Sequence, residues 1–143
     1  MPSDRLFKFT NGLHRTVLKL TFGKIGWHSA TMPVVELTTT GRKSHLPRTV
    51  MLTSPHQEGD TWVIVASRGG DDRHPAWFLN VCADPRVEAS LAGAPKRPMS
   101  ARVASAEERA RLWPVLTAAH ENYANYQART SREIPLVLLE PGQ

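Results

Sequence analysis

Val34-Val35-Glu36-Leu37-Thr38-Thr39-Thr40-Gly41-Arg42-Lys43-Ser44-His45-Leu46-Pro47-Arg48-Thr49-Val50-Met51-Leu52-Thr53-Ser54 reads as two strands joined by a basic turn. Val34 to Thr40 is rich in β-branched residues and bounded by Pro33 and Gly41, and Arg48 to Ser54 is a second such run. Downstream, Pro55 to Asp60 carries turn chemistry, and Thr61 to Ser67 predicts a third strand that closes a hairpin with the second. Arg68 to Arg73 is a loop; Pro75 suits the first turn of a helix over Ala76 to Ala83, stopped by Asp84-Pro85. Val87 to Leu91 and Pro98 to Ala104 flank Gly93-Ala94-Pro95 as another strand pair. Ser105-Ala106-Glu107-Glu108 is a capping box opening a helix that Pro114 kinks or divides, and Leu136 to Leu139 is a closing strand.

Upstream, Leu6, Phe9, Leu13, Val17 and Leu20 recur every three or four positions, with Lys8, Arg15 and Lys19 on another side. This pattern predicts an amphipathic basic helix from Asp4 to about Phe22, ended by Gly23 and Gly26, that either packs on the domain or touches an anionic membrane surface. The expected architecture is mainly β (α+β): a six-stranded antiparallel barrel over residues 30–143, preceded by a helix and connector over 1–29 and flanked by further helices.

A chain of 143 residues with 41% hydrophobic content suits one folded domain. The single cysteine, Cys82, excludes an internal disulfide, and its apolar neighbours predict a buried, inert thiol. No Cys/His spacing suggests a metal. No secretory signal or membrane span is evident, so a cytoplasmic protein is expected, with the basic helix allowing attachment at the inner face of the membrane. Eighteen Lys and Arg against thirteen Asp and Glu give a net charge of +5, which favours an anionic partner without naming it.

The turn Gly41 to Arg48 gathers Arg42, Lys43 and Arg48 with the Ser44 hydroxyl, either as a solvated basic loop or as an anion site; its order is not that of a Walker A loop. Ser67-Arg68-Gly69-Gly70 leaves a strand with paired glycines, which let backbone approach a flat ligand. Trp77 and Asn80 share a helical face, and His120, Tyr123 and Tyr126 repeat at intervals of three, either lining a pocket or simply packing. Neither a Ser-His-Asp order nor a carboxylate pair supports hydrolysis.

Leu37-Thr38-Thr39-Thr40-Gly41-Arg42-Lys43-Ser44, Arg48, Val65-Ala66-Ser67 with Gly69-Gly70, His74-Pro75-Ala76-Trp77 with Asn80, Tyr123, and Tyr126-Gln127-Ala128-Arg129-Thr130 together resemble one family. It is the actinobacterial deazaflavin-dependent nitroreductases, also described as quinone reductases, and the likeness runs from about residue 30 to 141. The resemblance implies a split β-barrel of the type that binds flavin mononucleotide, with coenzyme F-420 in place of the ordinary flavin. Hydride would pass from the reduced coenzyme to a small electron-poor acceptor such as a quinone, nitro compound or enone.

By the same resemblance Arg42, Lys43, Ser44 and Arg48 would meet the coenzyme's anionic tail, and Thr49, Val50, Met51 and Leu52 would continue that wall. Val65, Ala66, Ser67, Arg68 and Gly69 would run beside the ring, with Ala76, Trp77, Phe78 and Asn80 near the phosphate. Tyr123 would bridge coenzyme and acceptor, Ser67 and Tyr123 would donate hydrogen bonds to developing charge, and His120 and Tyr126 would complete the acceptor wall. His45 stands where the family usually has glycine, Met51 where a proline is common, and His120 where some nitroimidazole-reducing members have tyrosine. An FMN-dependent reductase or oxidase on the same barrel is the alternative. Nucleic acid is not an expected partner, because no strand face alternates basic and aromatic residues.

Overall fold

The computed structural model describes residues 28–29 and 32–142, so the basic helix expected over 4–22 lies outside the described residues. Eight antiparallel strands make one curled sheet: β1 (His28–Ser29), β2 (Met32–Thr40), β3 (Pro47–Thr53), β4 (His56–Glu58), β5 (Thr61–Val65), β6 (Arg86–Leu91), β7 (Arg97–Val103) and β8 (Leu136–Pro141). Among the described residues three α-helices accompany it: α1 (Ala76–Ala83), α2 (Ala106–Ala119) and α3 (Glu121–Ala128). The six longer strands are the six expected from sequence; β1 and β4 are short additions. The sheet thus takes in His28–Ser29, on the connector side of residue 30.

Strand order around the sheet is β1-β2-β6-β7-β8-β5-β4, with β3 paired to the other edge of β2. The expected hairpin between the second strand and Thr61–Ser67 does not form. β5 turns back instead on β4, through Gly59-Asp60, and the register His56↔Val63, Gln57↔Trp62, Glu58↔Thr61 leaves β3 paired only with β2 among the described strands. Ser54 sets this corner: its hydroxyl donates to His56 O at 3.0 Å and Val63 O at 2.7 Å, so a side chain satisfies carbonyls at the bend. The barrel is therefore split between β3 and the end of β5.

Side-chain alternation explains why the central strands are apolar throughout. Trp62, Ile64, Val137 and Leu139 face an inner core shared with Val35, Leu37 and α1, while Val63, Val65, Leu136 and Leu138 face an outer core with Leu112, Leu116 and Tyr123 from α2 and α3. Strands covered on both faces carry no polar alternation, and that is how β5 and β8 read.

The capping box forms as its spacing predicts: Glu108 N donates to Ser105 Oγ at 3.2 Å and Ser105 N to Glu108 Oε1 at 2.8 Å. Pro114 does not divide the helix. α2 continues through it to Ala119, and the break falls at His120, whose extended backbone (φ −137°, ψ 90°) separates α2 from α3. Cys82 corrects a second expectation, since it lies exposed on α1 while Trp77, Phe78, Asn80 and Val81 take the buried face. No helix among the described residues is long and apolar enough to cross a membrane.

Candidate active site

Two clefts open on the face where β3, α1 and α3 converge. The first, about 330 Å³, occupies the split in the barrel: Met51, Leu52 and Thr53 come from β3, Val65, Ser67 and Gly69 from the end of β5 and its turn, and Tyr123 and Tyr126 from α3. The second, about 490 Å³, lies under the basic turn and is lined by Arg42, Lys43, Ser44 and Arg48 with Thr49, Val50, Ala76 and Asn80. Trp77 lines both.

β-sheet register aims the cationic wall. Thr39 is paired with Arg48, and Val35, Leu37 and Thr39 lie on the inner face, which Arg48, Val50 and Leu52 therefore share. Asn80, 5% exposed, braces the turn from α1: its Nδ2 donates to Thr39 Oγ1 at 3.0 Å and its Oδ1 accepts from Arg42 N at 3.1 Å. Arg42, Lys43 and Arg48 are solvent-facing, and among the described residues no carboxylate comes within salt-bridge distance of any of them.

The first cleft has an aromatic wall, and its one charged lining residue is Arg68. Tyr123 is 4% exposed; its hydroxyl lies 3.1 Å from Thr53 Oγ1 and donates to Met32 Sδ at 3.4 Å. Burial pushes the phenol pKa above its ordinary value, so the hydroxyl is protonated at neutral pH. Its ring meets Tyr126 edge-to-face at 6.0 Å and His120 at 6.5 Å.

The floor is a single 3₁₀ turn, Arg68–Gly70. Gly69 (φ +64°) has open space where a Cβ would stand, whereas at Gly70 (φ +86°) a Cβ would sit 2.7 Å from Tyr126 O. The paired glycines thus serve different ends: one leaves the cleft clear, and the other lets α3 dock. Arg68 is buried and paired with Asp71 at 3.3 Å. The Asp71 carboxyl is held below its usual range by the Arg73 backbone N–H and by the Arg68 charge.

The sequence profile of the F-420H(2)-dependent quinone reductase family matches residues 13–141. The chain belongs to that family. It is 42% identical over 132 residues to an F-420H(2)-dependent quinone reductase of Mycobacterium tuberculosis, covering 89% of this chain and 87% of the relative. Among solved structures it is similar to an F-420H(2)-dependent reductase, FDR-A (TM-score 0.66, 40% identity, 76% of this chain and 94% of that one). It also resembles a domain-swapped dimer (TM-score 0.64, 34% identity, 92% and 98% covered). The reductase is accordingly an oxidoreductase of split-barrel type dependent on reduced coenzyme F-420, and the ordinary-flavin alternative is not favoured.

Most residues singled out from sequence line one of the two clefts of the reductase. Ala66 and Phe78 do not; both belong to the inner core, Ala66 because its strand-end side chain points inward and Phe78 because it lies on the buried face of α1, its ring tilted against His74 at 4.7 Å. His120 sits at the helix junction behind Tyr123 rather than on a cleft. Sequence reasoning missed Thr53, Asn122 and Pro75 on the first cleft and Thr39 on the second. Thr39 was detectable, since it shares the inward face with Val35 and Leu37; Asn122 was not, because only the break at His120 fixes the rotation of α3.

Proposed function

We propose that the two clefts are one coenzyme and acceptor site, with the anionic tail of coenzyme F-420 under the basic turn and the ring beyond Trp77 in the split of the barrel. The observation that carries this reading is three cations, without a carboxylate partner among the described residues, lining a cleft that shares Trp77 with an aromatic one. The coenzyme's phosphodiester and oligoglutamate tail matches the first, and a flat ring the second. Reduced coenzyme F-420, when bound, supplies a hydride. The chain's own residues do the rest. Arg42, Lys43 and Arg48 bind the tail by charge-assisted hydrogen bonds, and Asn80 keeps their turn in register.

Trp77 sets the boundary between tail and ring, while Ser67 and Gly69 form the surface beside the ring. A planar quinone fits against Tyr123 and Tyr126. Ser67 Oγ bonds to none of the described residues, which leaves it able to donate to a carbonyl gaining negative charge, and the Tyr123–Thr53 hydroxyl pair is a second polar tip. The protein holds protons on hydroxyls beside the cleft and needs no charged acid.

The basic helix expected over residues 4–22 would add a lipid-facing surface suited to membrane-dissolved quinones. Deleting these residues is expected to weaken binding to anionic vesicles without loss of turnover on a water-soluble quinone; equal vesicle binding rejects that attachment.

The decisive experiment supplies reduced coenzyme F-420, NADPH or reduced flavin mononucleotide with quinone, nitroaromatic and enone acceptors. Turnover of quinone with F-420 alone is expected. Equal turnover with reduced flavin mononucleotide would reject the tail-cleft assignment, because its single phosphate does not require three cations.

A further inference from the structure

Arg132 lines neither cleft, yet its guanidinium makes four contacts behind the first. Nε donates to Asp71 O at 2.8 Å, Nη1 to Ala66 O at 3.2 Å and Nη2 to Ser67 O at 2.9 Å, and Nη1 also lies 3.2 Å from His74 Nδ1. Since a guanidinium only donates, His74 accepts at Nδ1 and carries its proton on Nε2. Burial and the Arg132 charge hold His74 below its usual pKa, in keeping with a neutral ring.

The backbone bearing this fork is itself clamped by α3. Gln127 Nε2 donates to Arg132 O at 2.7 Å, Gln127 Oε1 accepts from Ile134 N at 2.9 Å, and Arg132 N donates to Thr130 Oγ1 at 3.3 Å. The strand ladder ends at Val65, so the carbonyls of Ala66 and Ser67 lack a sheet partner where the chain leaves β5. One planar fork donates to both, joining Gly70 N (2.9 Å) at the Ser67 carbonyl, and ties them to Asp71 O below.

We propose that Arg132 is the positioning residue of hydride transfer: it locks the Ala66–Ser67 backbone, and through Asp71 the Arg68–Gly70 turn, into the surface against which the coenzyme ring lies. The same loop is clasped by the tyrosine helix, so one residue fixes the distance between the ring side and the acceptor side of the cleft. This rests on the placement of the ring in the barrel split proposed above. Arg132 touches neither reactant; it acts through Ser67.

The test compares Arg132→Lys, Thr130→Val, Lys43→Ala and Ser67→Leu by direct titration with reduced coenzyme F-420 and by saturation kinetics with a water-soluble quinone, expressed per bound coenzyme. Lys keeps the charge but cannot present a planar fork. For Arg132→Lys, kcat is expected to fall roughly 10- to 100-fold, as for a small misplacement of reacting groups, with coenzyme Kd nearly unchanged. Lys43→Ala should show the reverse split. If Arg132→Lys does not fold, Thr130→Val decides the matter, since it loosens the same loop from the surface and should lower kcat without changing Kd.

Wild-type kcat per bound coenzyme in the folded Arg132→Lys, or in Thr130→Val where that variant decides, overturns the proposal. Ser67→Leu separates the two levels, because it fills the cleft floor. Wild-type binding and turnover by Ser67→Leu reject the ring placement and the role of Arg132 with it. Abolished turnover there, beside a fully active Arg132→Lys, rejects only Arg132.

Discussion

Lys43 and Arg48 show what a single exposed charge can and cannot do. Each projects into solvent at the cleft mouth, so neither contributes much to folding, and removal of either should act on binding alone. Lys43→Ala or Arg48→Ala is expected to weaken coenzyme binding by about 1.5–3 kcal/mol, roughly 10- to 150-fold, while kcat at saturation is retained. Titrations at rising salt should narrow the gap between variant and wild type. Tyr123 is the opposite case, a buried hydroxyl on Thr53. Tyr123→Phe should lower quinone turnover by the worth of one hydrogen bond, about 0.5–1.5 kcal/mol, with little change in coenzyme Kd.

Because burial raises its folded pKa, Tyr123 stabilises the fold below its unfolded pKa of about 10 and loses that contribution as pH rises through the higher folded value. Alkaline melting curves should therefore fall more gently for the Phe variant. His45 holds φ +60° at the tip of the turn. That left-handed conformation suits glycine and not a β-branched residue: His45→Val should cost about 1–2 kcal/mol in a denaturant midpoint, whereas His45→Gly should not destabilise.

The elements are joined at points where backbone meets backbone, and those points locate the weak places of the fold. α3 rests its Tyr126 carbonyl against Gly70 with no room for a methyl group. Gly70→Ala forces the turn and the tyrosine helix apart, so it should lower both thermal stability and quinone turnover, and a wild-type Tm would show that the helix docks elsewhere. Gly69→Ala, strained by its φ but meeting no neighbour, should cost less. The turn Gly41 to Arg48 depends on α1 instead through a side chain, the Asn80 amide. The sequence placed Trp77 and Asn80 on one helical face and the basic residues in one turn, but it could not show that an amide is the joint between them.

Across the whole molecule, α2 is tied to two strands by ion pairs at its solvent side, and one of these is tied on to a third. Arg111 pairs with Glu58 of β4 at 2.8 Å, and Glu108 meets Arg102 of β7 at 2.7 Å, which also reaches Glu140 of β8 at 3.0 Å. These contacts lower Glu58 and Glu108 from 4.5 to about 2, each chiefly by the hydrogen bond from its arginine. A depressed folded pKa contributes stability above about pH 4.5 that is lost as pH falls toward 2. Exposure keeps each contribution small and salt-sensitive. Arg102→Met should flatten the acid limb of a pH–stability curve at low salt, and the two curves should converge at 1 M salt.

Local chemistry alone determined the six long strands, the capping box of α2, the basic turn and, through ordered motifs along the chain, the family and its coenzyme. Each is written in neighbouring residues: β-branched runs, a Ser-x-x-Glu spacing, three cations within seven positions. Tertiary structure alone decided that β3 and β5 part rather than pair, since register depends on the Ser54 corner and not on the propensity of either strand. It also decided that Pro114 stays within its helix, that Cys82 faces solvent, and that Arg132 reaches back to Ser67 across 65 residues of chain. A guanidinium's choice among distant carbonyls leaves no periodicity in the sequence, and only the folded chain brings those carbonyls together.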